Sequence, residues 1–272
     1  MPKYPVDPRD WKELGRTDEK ISAIGLGTWA IRNYNRAYRV FVHAIRHGIN
    51  HVDTAEIYDR GRAEEFVGRV ARAIGRENLF ITTKMDPRHL TSRDRVLKAG
   101  RRALSRLSLD CVDLYLIHWP NPSISIEEQV RNFEVLVEEG VARYIGVSNF
   151  GLEDLEKALH STRKYEIVVD QVHYSILHKT PEQDLLRYAI SNGVTIQAYT
   201  PLEHGRVAQH PIAKRIARKY GKTAIQVALN YLISRPRVVA IPKTESIEHL
   251  TEILGSMGWR LSEEDIEALE SA

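Results

Sequence analysis

The chain has 272 residues, 43% of them hydrophobic and 28% charged, with a formal net charge of +3. That is enough apolar material for one large core, while so balanced a surface offers no basic face for nucleic acid or an anionic membrane. The single cysteine, Cys111, excludes an intramolecular disulfide and a thiolate metal cluster, and no apolar run approaches the roughly 18 residues of a membrane span.

The first eleven residues are polar and lack the apolar centre of a signal peptide, so a cytoplasmic, soluble protein is expected. A hairpin is expected around Gly15-Arg16-Thr17-Asp18. From there, short apolar runs alternate with amphipathic stretches of helical period. Residues 23–27 read as a strand and 36–47 as the helix after it; 51–53 and 62–74, 79–84 and 93–107, and 112–118 and 126–139 repeat the unit. Four further pairs follow at 144–147 and 152–160, 168–172 and 181–192, 194–199 and 223–234, and 238–241 and 246–254. Thr180 ahead of Pro181 reads as a helix cap, and Gly48, Gly75, Gly140 and Gly193 each end a helix before the next strand. A last helix over 261–272 is capped by Ser262 ahead of Glu263 and Glu264.

Eight strand–helix units whose strands are apolar on both faces imply a parallel sheet that closes on itself. The expected fold is α/β, a (β/α)8 TIM barrel over 1–272 as a single domain, with a short N-terminal β-hairpin and an extra C-terminal helix. No G-x-G-x-x-G segment opens a βαβ unit, because Gly25-Leu26-Gly27 lacks the third glycine and the helix start.

In such a barrel the chemistry lies at the C-terminal strand ends. Asp53 ends the second run, Tyr58 follows five residues later, Lys84 closes the third and His118 closes the fourth. An ammonium beside a phenol favours the phenolate and lowers the phenol's pKa, and a carboxylate behind the lysine keeps that ammonium charged. Tyr58 then becomes a usable general acid, with His118 sharing the charge that grows on a carbonyl oxygen. The bland reading is a buried ion pair that stiffens the barrel, but such pairs are poor stabilisers, which favours a site. Trp29 and Trp119 directly follow strands, so that walling a substrate pocket and plain packing are both open to them. His43, His47 and His51 are spaced by four, but His51 falls in the next strand and no acid or cysteine completes a shell, so no metal is expected.

With these residues in view, the chain resembles the aldo-keto reductase superfamily over nearly its whole length. The resemblance rests on Gly25-Leu-Gly-Thr-Trp29, Gly48-Ile-Asn-His-Val-Asp-Thr-Ala-Glu-Ile-Tyr58, Asp113-Leu-Tyr-Leu-Ile-His-Trp-Pro120, Gly146-Val-Ser-Asn-Phe150 and Ile241-Pro-Lys-Thr244. It implies NAD(P)H-dependent reduction of aldehydes or ketones, with Asp53, Tyr58, Lys84 and His118 as the catalytic tetrad and Trp29, Tyr58, His118 and Trp119 around the substrate. It further implies that Ser148, Asn149 and Gln171 bind the nicotinamide carboxamide and that Tyr199 stacks on the ring. Gly27, Thr28 and Asp53 would lie on the nicotinamide side and Thr200 and Leu202 over the pyrophosphate. Lys243 and Thr244 would hold the 2′-phosphate, with His249 and Glu252 completing the adenosine end.

Several departures bear on the cofactor. His249 stands where relatives commonly have arginine, and Ile253 replaces a common adenine-binding asparagine. Glu203 and His204 replace small residues after the Pro-Leu step, and Glu245 adds negative charge beside the 2′-phosphate position. NADPH is the expected cofactor because Lys243 and Thr244 remain, with NADH as the alternative. No long C-terminal loop closes the pocket, so a permissive site for small carbonyl compounds is expected, on a chain read as a monomer. The competing readings are a nicotinamide-binding regulatory or redox-sensing subunit that turns over slowly and, more remotely, a metal-dependent barrel hydrolase.

Overall fold

A computed structural model describes all residues from Met1 to Ala272. Eight parallel strands follow one another around the barrel in chain order: β3 (Leu26–Gly27), β4 (His51–Asp53), β5 (Phe80–Met85), β6 (Val112–Ile117), β7 (Ala142–Ser148), β8 (Ile167–His173), β9 (Thr195–Tyr199) and β10 (Val238–Ile241). The sheet closes where Ile24 bridges Ala240 in parallel, with the Gly25 N–H on the Ala240 carbonyl at 2.8 Å and the Ala240 N–H on the Ala23 carbonyl at 2.9 Å. The expected first strand, 23–27, is therefore mostly this closing seam: only Leu26 and Gly27 have regular partners, Val52 and Asp53 of β4.

The expected hairpin forms from β1 (Trp11–Glu13) and β2 (Lys20–Ser22), paired antiparallel. It stoppers the N-terminal end of the barrel. Leu14 and Ile21, both fully buried, pack with Phe80, Leu114, Leu116, Val169 and Val239 inside the barrel, and the Gly15 N–H donates to Thr195 Oγ1 at 2.9 Å. Gly15 has φ +55, and a Cβ there would lie 2.7 Å from Val168 Cβ, so the turn fits beneath the strands only as glycine.

The helices begin with α1 (Tyr34–Arg46), α2 (Arg62–Ile74), α3 (Arg93–Leu107), α4 (Ile126–Phe133), α5 (Val135–Glu138) and α6 (Leu152–Ser161). After them come α7 (Leu185–Ser191), α8 (Pro211–Tyr220), α9 (Ala224–Ile233), α10 (Ile247–Leu254) and α11 (Glu263–Glu270). Side-chain caps start many of them: Asn33, Ser92, Ser125, Ser246 and Ser262 each accept a backbone N–H, and Thr223 and Gln226 form a reciprocal capping box on α9.

Three expectations change. The stretch 126–139 divides at Glu134, a buried residue whose Oε1 accepts the N–H groups of Arg163, Lys164 and Tyr165. Thr180 does not cap a helix over 181–192. Residues Thr180–Glu182 make a separate 3-10 turn, and α7 starts after Asp184 with no side-chain cap. Glu182 causes the break: it is buried and accepts the hydroxyls of Tyr174 and Tyr231, which draws the chain inward before α7 can begin. Helix α8 was not anticipated, although Pro211 at its first turn and Gly221 in the left-handed conformation at its end are the usual signals.

Candidate active site

Parallel strands put their C-terminal ends on one rim, and the register fixes which ends are neighbours. Gly27 pairs with Asp53, Asp53 with Thr82, Lys84 with Leu116, and Ser148 with Gln171. Tyr58 is set just above the end of β4 by a tight turn, Tyr58–Gly61, in which Asp59 and Arg60 are left-handed. His118 follows β6 directly, its N–H on the Met85 carbonyl at 3.1 Å.

Lys84 is the centre of this rim. Its ammonium is fully buried and donates to Asp53 Oδ2 at 2.7 Å, to the Thr54 carbonyl at 2.9 Å and to the Tyr58 hydroxyl at 3.2 Å, which uses all three of its protons. The other oxygen of Asp53 accepts from Gln171 Nε2 at 2.8 Å, and that amide also donates to Gln197 Oε1 at 2.9 Å. The Tyr58 and His118 rings meet edge to face with centroids 5.6 Å apart. The four residues that strand order brings together are thus in one connected cluster.

Burial and charge act against each other here. Burial disfavours the Lys84 ammonium, but Asp53 and Tyr58 outweigh it and its pKa lies above that of an ordinary lysine. For Tyr58 the balance differs from the expectation: burial raises the phenol's pKa by more than Lys84 lowers it, with Asp53 adding to the rise. The hydroxyl is therefore protonated at neutral pH, and Lys84 restrains the rise rather than making a phenolate. His118 is held neutral, its pKa lowered to about 3 by burial and then by Lys84, and its Nδ1 is buried without a hydrogen-bond partner.

Beside the cluster, the Ser148 hydroxyl donates to the Gln171 carbonyl at 2.8 Å. Asn149, left-handed at φ 60, donates through Nδ2 to the His118 carbonyl at 2.9 Å, and its Oδ1 accepts the Tyr199 hydroxyl at 2.7 Å. The Tyr199 ring stacks on His173 at 5.5 Å, and His173 Nε2 meets Glu203 Oε1 at 2.6 Å, an oxygen that also accepts the Ser175 hydroxyl. Thr28 donates its N–H to the Asp53 carbonyl at 3.0 Å, while its Oγ1 is buried and unpartnered. Thr200, Glu203 and His204 are all left-handed, which folds the loop after β9 tightly, with Leu202 half-buried within it.

Farther along the same face, Lys243 and Thr244 follow β10. Lys243 Nζ pairs with Glu245 Oε1 at 2.5 Å, and Thr244 is buried with its hydroxyl accepting the Ser246 N–H. His249 is exposed, and Glu252 is half-buried with its carbonyl accepting from Gln226 Nε2. The mouth is rimmed by exposed apolar side chains, Trp29 after β3, Ile57 after β4, Trp119 after β6 and Leu177 after β8. Trp119 leans on His118 at 4.6 Å. The Tyr34 ring packs on Phe66 at 5.3 Å and its hydroxyl donates to Asp59, joining α1 to the turn before α2.

Sequence reasoning did not single out Thr54, Gln197, Ile57 or Leu177. Gln197 had a signal, a polar residue in an otherwise apolar Ile196-Gln197-Ala198 run. Thr54 acts through its backbone and carries none.

The aldo/keto reductase family model matches residues 23–272. Glyoxal reductase of Bacillus subtilis is 33% identical over 252 residues, covering 91% of this chain and 87% of that protein. Among solved structures, a thermostable aldo-keto reductase in complex with the inhibitor epalrestat is 43% identical with a TM-score of 0.91, covering 96% of this chain and 98% of that one. An aldo/keto reductase from Klebsiella pneumoniae, in complex with NADP and acetate, is 33% identical with a TM-score of 0.89, covering 97% and 95%. The chain belongs to the aldo/keto reductase family.

Proposed function

From that membership we propose that the chain is an NAD(P)H-dependent reductase of aldehydes and ketones, in which Tyr58 delivers the proton to the carbonyl oxygen. The observation that carries this reading is Lys84, buried, charged and bonded at once to Asp53 and to the Tyr58 hydroxyl.

The residues present fit a nicotinamide dinucleotide. Thr28 Oγ1 is a buried polar atom without a partner, Tyr199 offers a half-buried aromatic face at the strand ends, and Gly27 keeps the floor clear, since a Cβ there would already approach the Ile241 carbonyl at 3.3 Å. Ser148, Asn149 and Gln171 would hold the carboxamide, Thr200 and Leu202 the pyrophosphate, and Lys243 and Thr244 the 2′-phosphate, with His249 and Glu252 beside the adenosine. When bound, a reduced nicotinamide supplies the hydride for the carbonyl carbon.

Each protein group then has a defined task. Tyr58, protonated at neutral pH, donates to the carbonyl oxygen and transfers its proton as negative charge develops there. Lys84 makes that transfer feasible by stabilising the phenolate left behind, and Asp53 keeps Lys84 charged against its burial. Neutral His118 orients the oxygen as a hydrogen-bond donor. The apolar rim of Trp29, Ile57, Trp119 and Leu177 presents no charge to the substrate, which favours small uncharged or aromatic carbonyl compounds. Similarity to a glyoxal reductase places short dicarbonyls first among the compounds to try.

The test is to follow oxidation of NADPH and then NADH with glyoxal, methylglyoxal and an aromatic aldehyde, with Tyr58→Phe in parallel. Turnover that the variant loses supports the reading. Tight cofactor binding without turnover on any carbonyl would favour a nicotinamide-binding regulatory subunit instead.

A further inference from the structure

Glu245 occupies an unusual position for a surface carboxylate. Its side chain is only 14% exposed, and it is fully engaged: Oε1 takes the Lys243 ammonium and the Arg32 N–H at 3.0 Å, and Oε2 takes the Asn33 N–H at 2.8 Å. These contacts lower its pKa below the usual glutamate value, although burial opposes them, so it is charged at neutral pH. Two backbone donors hold it in place independently of Lys243. Those donors lie immediately before α1, in the loop that leaves β3, so the carboxylate joins the loops after the first and last barrel strands across the closing seam.

This rests on the cofactor assignment above, in which Lys243 faces the adenosine 2′-phosphate. The segment from Lys243 to Glu252 contains that one lysine against three glutamates, at 245, 248 and 252, and the arginine that would have reinforced it is replaced by His249. Glu248 is exposed, its carboxylate accepts the Ser246 hydroxyl, and the ion pair of Lys243 is with Glu245. Glu245 is the acid that neutralises the lysine.

We propose that Glu245 is a cofactor-specificity residue: held by the Arg32 and Asn33 N–H groups, it occupies Lys243 before any cofactor arrives and sets the chain to accept NADH nearly as readily as NADPH. A 2′-phosphate dianion must share Lys243 with a carboxylate that cannot withdraw, because its second oxygen and half of its first are fixed by backbone. NADH has a 2′-hydroxyl at that place and meets no such opposition. Like charges a few ångströms apart at a partly exposed site oppose each other by roughly 1 kcal/mol, which corresponds to about a three- to tenfold change in Kd.

The test measures Kd by quenching of tryptophan fluorescence for NADPH, NADH and 2′,5′-ADP with the full-length protein, Glu245→Gln and Glu248→Gln. Glu245→Gln is expected to bind NADPH and 2′,5′-ADP about three- to tenfold more tightly, with NADH within twofold of the unaltered chain. Glu248→Gln removes the same formal charge and is expected to leave all three nearly unchanged. An equal shift for NADPH and NADH in Glu245→Gln would make the residue a loop brace and overturn the proposal. Equal effects of the two variants on NADPH would overturn it in favour of a general surface field. If the unaltered chain bound neither dinucleotide, the cofactor assignment itself would fall, a result distinct from both.

Discussion

Replacing Asp53 with asparagine isolates the electrostatics of the tetrad without changing its shape. In the native arrangement the carboxylate accepts from Lys84 at 2.7 Å and from Gln171 at 2.8 Å, and both Asp53 and Lys84 are buried. Asparagine keeps one acceptor oxygen and turns an N–H₂ group toward either the ammonium or the Gln171 amide, so a donor faces a donor. Lys84 keeps the Thr54 carbonyl and the Tyr58 hydroxyl but loses its counter-charge. Two unit charges about 4 Å apart at an effective dielectric constant of about 20 attract by about 4 kcal/mol, and breaking one side of a buried pair typically costs about 3–5 kcal/mol. For a chain of this size that corresponds to a fall in Tm of about 6–12 °C.

The pH dependence of the loss has a definite sign. In the native chain the pKa of Lys84 is raised, so its contribution to stability is complete below the unfolded lysine value and is lost as pH rises through the folded one. In Asp53→Asn the burial that already opposes the ammonium is unbalanced, the folded pKa drops below the unfolded value, and stability rises with pH over that interval. The gap between the two proteins is therefore widest at neutral pH and narrows on the alkaline side. Urea unfolding at pH 7 and pH 9.5 measures both quantities. A destabilisation below about 1 kcal/mol at pH 7, with no narrowing at pH 9.5, would refute the view that Asp53 holds Lys84 charged.

Three other outcomes are expected. Tyr58→Phe should lower kcat by about 10²–10⁴ while leaving the Kd for NADPH within about threefold, measured by single-turnover kinetics and fluorescence titration. His51 is fully buried with its pKa lowered to about 3, below the unfolded value near 6.5, so the unfolded chain binds its proton first and stability drains away as pH falls from about 6.5 toward 3. His51→Leu should therefore lose about 2 kcal/mol less than the native chain between pH 7 and pH 5, and parallel curves by urea unfolding would contradict the assignment. Gly68 lies in α2, where alanine would ordinarily gain about 1 kcal/mol, but a Cβ there falls 2.0 Å from the Leu107 carbonyl oxygen at the end of α3. Backbone cannot rotate aside, so Gly68→Ala should destabilise by a net of about 1–3 kcal/mol, and a rise in Tm would show that α2 and α3 are less closely fitted than described.

Most of the barrel could be read along the chain because its rules are local and periodic. Runs such as Val238–Ile241 are apolar on both faces, which only a parallel strand covered by helices and filled within can satisfy, and helices such as Arg62–Ile74 and Arg93–Leu107 have the bounds their periodicity gives. Strand order then placed Asp53, Lys84 and His118 on one rim, since consecutive parallel strands are neighbours. Tertiary structure decided the rest. Whether Lys84 acidifies Tyr58 depends on burial as well as on proximity, and burial depends on the whole wall around the phenol, so the direction of its pKa shift could not be read from residue types. Glu182 broke an expected helix because two tyrosines, Tyr174 on the loop after β8 and Tyr231 on the distant α9, offered it buried hydroxyls. Glu245 was legible as a negative charge beside a lysine, but its anchoring by Arg32 and Asn33 joins residues more than two hundred positions apart. Local periodicity carries no information about such pairs, because the contact exists only once the last strand has closed against the first.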